Sequence, residues 1–431
     1  QGVYMGVMAD LRRHGIRMKV FPEHPTLVYR PFTVNKNNYI YLADNGRIHA
    51  NLDLHDEQGT GLSFYTNRED TIAKQDMTVE LSRINLKEFR RILPYMPDME
   101  GWIGAEAHYI DSGPYMMVSS DLRIDEFKYE GSALGNWELG GVYLPGEAKD
   151  HHLDAYIRHD GEEIAHLGGI YLPAEEGTGS LSADIAFEHF PLNVANPFVP
   201  DRMVELDGDI DGTLSMKGDP AKPLLNGELA LDSVTFFMPE MSAMFRFDNE
   251  PVQVVNSKMM FKEFDIFTKG KTPFTINGEV DFSDLERTAV NLKMHAENYE
   301  LLNAPRTKRA MVYGKMYVDF NATLRGPVEE LVMRGNMNIL GKTNVTYVLK
   351  DRLGDMVTFV NFNDTTSVEE SSVQQISLGG MDVAMTMHID QAVQARVDLV
   401  PDGSNYMLLE GGGDLSFQYT PQGDMLLTGR Y

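Results

Sequence analysis

Histidines flanked by carboxylates are the groups in this sequence best suited to chemistry. His159 and His166 bracket Asp160, Glu162 and Glu163, a set that could ligate a metal ion. Gly161 sits among them and marks a tight turn, so the spacing favours a polar hairpin tip. His151 and His152 adjoin in a strand-like stretch. Successive strand side chains point to opposite faces, so the two cannot share one ion. Asp207, Asp209 and Asp211 look like a calcium ladder. They lack the loop glycine and bidentate glutamate of an EF-hand and alternate as the wet side of a strand. Arg306-Thr307-Lys308-Arg309 is a basic island that could meet lipid headgroups, although a solvated turn after Pro305 is favoured. Zero cysteines remove thiol chemistry, disulfides and thiolate metal sites. No GxSxG, HExxH or P-loop pattern occurs. Acidic residues are plentiful enough for glycoside hydrolysis, but nothing singles out a pair. The expectation is a chain with no catalytic residue, no metal and no cofactor.

Positioning is therefore the question to ask of the rest. A net charge of −26 over 431 residues argues against nucleic acid, whose phosphates require clustered Lys and Arg, and against lying on an anionic membrane surface. With 42% hydrophobic residues the chain can bury a sizeable core. No apolar run approaches the roughly 18 residues of a spanning helix. Gln1 opens the chain without a signal-peptide pattern, so any membrane anchor is expected outside it.

Strands carry the pattern. From Val204 to Gly218 the apolar parity holds Leu206, Ile210, Leu214 and Met216, with Gly208, Gly212 and Gly218 among them. Asp207, Asp209, Asp211 and Lys217 take the other parity, which makes a strand dry on one side. At about 3.3 Å per residue such a strand spans about 50 Å, beyond the usual length. Pro220 and Pro223 mark a turn, and Leu229 and Leu231 resume the alternation. Further strands are predicted at Met18–Phe21, Tyr39–Ala43, Arg47–Leu54, Met77–Ile84 and Met117–Tyr129. Short helices are predicted at Met5–Arg13 and Asn85–Leu93. Strand, proline-bearing apolar kink and glycine-laced strand recur three times. The kinks are Leu86–Pro97, Phe190–Pro200 and Tyr299–Pro305, and the glycines that follow, Gly101, Gly208 and Gly314, lie about 105 residues apart. Asn363–Ser372 reads as a solvated loop. The fold class is all-β with a few short helices. A second sheet could cover the dry face. That covering sheet is the favoured answer for a β sequence on residues alone. The 26 methionines, several on that parity, and the strand lengths pull toward a trough able to take an acyl chain, and neither detail decides between the two.

The stretch VELDGDIDGTLSMKGDPAKPLLNGELALDSVTFF resembles the repeated GxLxGxLxLxGxxxxPxLxGxLxL unit of the TamB family, the inner-membrane partner in the translocation and assembly module. Ala392–Tyr431 is similar to that family's C-terminal domain, with a Gly-rich hairpin leading to a closing GxY. Gly379-Gly380-Met381-Asp382 and Thr346-Tyr347-Val348 resemble the form in Bacteroidetes-type members. The resemblance covers the chain from about Thr71. It divides the chain into a generic β segment (1–70), repeating β-groove units (71–340) and the start of the C-terminal domain (341–431). It implies an elongated U-shaped β-sheet, a β-taco, bridging the periplasm between the inner and outer membranes of a Gram-negative cell. Phospholipid transport, outer-membrane protein assembly, no enzymatic activity and an Omp85-type (TamA-like) barrel partner are implied with it. On that reading the lipid-contacting residues are Leu206, Ile210, Leu214, Leu229, Leu231, Val280, Phe282, Val318, Phe320, Leu324, Met337, Ile339, Val397 and Leu399. Leu415, Phe417 and Tyr419 would set the register of strand addition onto the barrel. Family members continue beyond Gly429-Arg430-Tyr431, so the docking end is expected there or in further strands. The competing reading is a self-packed β-helical adhesin or carbohydrate-active protein.

Overall fold

Alternating dry and wet residues put almost every described segment into strands. The computed structural model describes residues 3–430 except 28, 68–72, 89–94, 114–115, 147–149, 175–177, 200–203, 240, 308–309, 350–380 and 401. Among these residues the protein is all-β, with 29 strands and a few short helical turns such as the 3-10 turn Leu192–Phe198. No described helix is long and apolar enough to cross a membrane. The contacts divide the chain into two units, Gln1–Phe190 with Ser215–Pro223, and Pro191–Leu214 with Leu224–Tyr431.

The first unit is an antiparallel meander. Gly15–Leu27 pairs with Val3–Arg12 on one side and Tyr39–Ala43 on the other. Each later strand then pairs with its neighbour in sequence through Ser180–Pro191. Such nearest-neighbour pairing needs only short turns. Phe32, Val34, Leu52 and Leu54 form a small buried core in this unit, with Val20, Leu27, Ile40 and Phe64 packed against it.

In the second unit the ladder runs antiparallel from Leu224–Met238 to Val312–Pro327 and on to Val332–Ile339. Two parallel pairings follow, Val332–Ile339 with Asp382–Ile389 and Asn344–Val348 with Gln394–Asp398. Antiparallel pairing elsewhere is not the parallel coil of a β-helix, which removes the structural basis of that competing reading.

Three local expectations are corrected or limited. Met5–Arg13 is not helical: Val3–Arg12 is an extended strand. Its Met, Ala, Leu and Arg favour helix in isolation, but propensity is a weak prior and the ladder to Gly15–Leu27 overrides it. The kink at Tyr299–Pro305 is instead part of the strand Ala289–Ala304, with register shifts at Ala296/Tyr299 and Glu300/Leu302. The helix expected over Asn85–Leu93 is helical at 86–88, and its remainder lies outside the described residues, as do Asn363–Ser372, Gly379-Gly380, Lys308 and Arg309.

The register shifts share one construction. Arg83, Glu126, Glu263 and Asn298 are non-glycine residues with φ of 49°, 52°, 51° and 50°, each inside a strand where the pairing slips. For three of them a polar side chain on the neighbouring strand accepts the backbone N–H. Asn136 takes Glu126 (2.9 Å), Asn277 takes Glu263 (2.8 Å) and Asp319 takes Asn298 (2.7 Å). A bulge bends its strand and re-aims the side chains beyond it. Ala296 and Tyr299 therefore both point into the apolar side although they are three residues apart, opposite Phe320 and Val318.

Candidate functional site

Within the strands, the expected lining residues share a parity and lie on one side of the ladder; Phe282 and Leu399 lie outside the strands. A Cβ on Gly212 would lie 2.3 Å from the Glu228 carbonyl oxygen, and one on Gly227 would lie 3.0 Å from the Leu214 Cα. Glycine is what permits that approach, and it sets Leu214 and Leu229 on one face, with Ile210, Leu206 and Leu231 on the same parity. Gly227 stands opposite Val254, Val254 opposite Met259, and Met259 opposite Val280. The face continues through Val280 and Val290, Leu292 and Leu324, Phe320 and Met337, and Val318 and Ile339. Directly paired residues share a face. Val397 joins through Tyr347, which pairs with Val312. Phe282 and Leu399 lie just past their strand ends, where their N–H groups donate to Ser257 and Asn405.

Packing on this face is local. Phe245 and Ala243 cluster with Leu302 and Ala304, although their strands share no hydrogen bond, so the apolar side closes on itself there. A methionine-rich cluster forms around Ala322, Val383, Met385 and Tyr419, with Met294, Met333, Met337 and Met381 against it. A packed core would leave nearly all such residues buried. Of the fourteen expected lining residues, only Leu214 (7% exposed) and Val318 (2%) are. Tyr299 anchors the centre at 1% exposure, and burial pushes its phenol well above the usual range. On the apolar side of the first unit, Val79, Leu81 and Leu139 remain exposed. Sequence reasoning missed a pocket of 220 Å³ in that unit, walled by Leu27, Phe32, Leu54, Leu62 and Ile84, with Arg30 beside it. Arg30 is paired with Asp56 (3.5 Å) and Glu88.

Leu415, Phe417 and Tyr419 occupy an interior strand. Gly413–Tyr419 is bonded to Asp382–Ile389 on one side and Met425–Arg430 on the other. Their side chains face Met387, Met385 and Val383, so they line the apolar face and do not form an edge. Among the described residues Met425–Arg430 pairs on one side only, and its Met425, Leu426 and Leu427 are exposed.

The polar candidates are dispersed. His151 stacks on Tyr143 at 5.0 Å while His152 lies 3.4 Å from Asp150. His159 packs on Trp137 at 4.7 Å; His166, on the other side of the sheet, contacts Asp154 and Glu163. Among the described residues no three His, Asp or Glu side chains converge as metal ligands. Asp207 is exposed, and Asp209 and Asp211 are half-buried on the face opposite Leu214. Arg306 lies over the Tyr313 ring, 5.8 Å from its centroid. Unforeseen was Asp398, 0% exposed, which pairs with Arg396 Nε at 2.6 Å and accepts from Tyr313 at 3.2 Å. Two opposite charges two residues apart in an apolar stretch, Arg396 and Asp398, were its only signal.

Residues 263–431 match the family model of the TamB C-terminal domain. No curated protein and no solved structure matches the chain.

Proposed function

We propose, for a chain that belongs to the TamB family through residues 263–431, that its apolar face conducts phospholipid acyl chains between the two membranes of a cell envelope. The activity is non-enzymatic. One observation carries the reading: the dry face is continuous across the ladder yet only half covered by protein, with just Leu214 and Val318 buried among its expected lining. An acyl chain could complete that burial at roughly 25 cal/mol per Å² of apolar surface removed from water. Methionines supply a lining that adapts to varied chains. In this reading the protein lies in the periplasm, and the Met425–Arg430 strand adds to an Omp85-type outer-membrane barrel. Support for outer-membrane protein assembly would use the same edge.

Organic extraction of the purified protein, followed by mass spectrometry, tests it. Phospholipid should co-purify with the wild-type chain. Phe320→Asp should lose it while the sheet still folds, because a carboxylate cannot shed its water cheaply in an apolar channel. Asp209→Lys, on the wet face, should retain it. Equal loss from both would count against a conduit.

A further inference from the structure

The side of the second unit turned away from the apolar lining departs from the acidic character of the chain. Asn277, Lys293, Thr323 and Arg334 stand side by side on four neighbouring strands. The next row reads Thr275, His295, Asn321, Asn336, Thr386 and Ser416 across six strands. Over these strands neither row contains a carboxylate, in a chain of net charge −26; the second row ends at Asp265, which accepts from Thr275 at 2.6 Å, and Glu297 lies 3.7 Å from His295. The corresponding row of the first unit is Glu80, Glu106 and Asp121. An open depression of 620 Å³ lies over the two neutral-to-basic rows, with Asn277, Lys293, His295, Asn321 and Arg334 in its wall. Lys293 and Arg325, which pairs across the ladder with Asn291, are exposed and have no ion-pair partner among the described residues. Arg334 is held in place by Asp382, 2.7 Å away.

We propose that this face binds an extended anionic glycan, the carboxylate-bearing N-acetylhexosamine strand of peptidoglycan, laid across the β-strands. The proposal rests on the periplasmic reading above. Neighbouring strands sit roughly 4.8 Å apart, close to the rise of one sugar along an extended β-linked chain. The row of amides and hydroxyls therefore offers one polar group per sugar for hydroxyls and acetamides. Lys293, Arg325 and Arg334 flank that row where carboxylates would hang. A phospholipid headgroup fits this surface poorly, since the cations are spread along a polar row and the apolar face is on the other side of the sheet. Nucleic acid would need a denser array of cations than this.

Co-sedimentation of the 431-residue chain with purified peptidoglycan sacculi at low salt decides the matter. The chain should pellet, and added salt should release it as charge screening grows. Lys293→Glu with Arg325→Glu should weaken retention about fivefold or more, the scale of two exposed ion pairs lost. Asn321→Asp should weaken it less, and all variants should melt with the wild type. Phe320→Asp, which removes lipid from the groove, should pellet like the wild type, so the two readings fail separately. No pelleting, unchanged retention in the charge-reversed variant, or pelleting with anionic phospholipid vesicles alone would overturn the proposal.

Discussion

Tyr156 sits where strand pairing, charge and burial meet. Its ring lies over Gly140, the residue paired with it, so the aromatic covers backbone that glycine leaves bare. The hydroxyl donates to Glu138 (3.0 Å) and Asp121 (3.2 Å). Burial first, and then those two acceptors, push the phenol up to about 12. The unfolded chain titrates near 10, so as pH rises it gives up its proton before the folded chain does. The stabilisation is intact below about pH 10 and declines between about 10 and 12. Urea unfolding at stepped pH should show that decline in the wild type and a flatter profile in Tyr156→Phe; matching slopes would discount the site. None of this was legible in the sequence, because Tyr156 acts through residues 18 and 35 positions away. The histidine readings needed only neighbours. His151 and His152 diverge because a strand alternates, and that much follows from adjacency alone.

Strands were legible wherever the period held, as at Glu205–Gly218 and Leu224–Met238. The bulges were not, because an αL residue such as Asn298 is fixed by Asp319 on another strand and carries no mark of its own. Asp319→Ala should therefore cost about 1–2 kcal/mol by leaving the Asn298 N–H without its acceptor. Asp319→Asn keeps an acceptor and should be near neutral. Equal denaturation midpoints for the two variants would mean the bulge does not depend on the side chain. The hairpin of Gly413–Tyr419 with Met425–Arg430 follows from alternation around the Pro421–Gly423 turn, but alternation does not tell that Gly413–Tyr419 also pairs with Asp382–Ile389 and so lies inside the sheet. If barrel docking is by strand addition, the outermost ladder supplies it. Proline at Leu426 or Leu427 removes one donor, outward at one position and inward at the other. One of the two should reduce co-purification with the barrel sharply while the fold survives. Binding unaffected by both would retire docking at this edge.

Across the whole chain, solubility depends on charge at the places where pairing stops. Val3, Tyr4 and Val7 are exposed on one terminal strand and Met425, Leu426 and Leu427 on another. Strands paired on one side only, with exposed apolar side chains, are templates for further pairing. A net charge of −26 opposes such pairing, since like charges on two copies repel. The charge is plain from composition; where the edges lie is not, since that depends on which strands find partners. Protonating carboxylates removes the repulsion. As pH falls toward the ordinary carboxylate range near 4, light scattering should report self-association before circular dichroism reports loss of strand. Raising salt at neutral pH should act in the same direction as the Debye length contracts to about 3 Å at 1 M. Leu426→Lys together with Val7→Lys places charge on both edges and should delay association without moving the unfolding transition. Association unaltered by those substitutions would locate the sticky surface elsewhere, with the half-covered apolar face the first candidate.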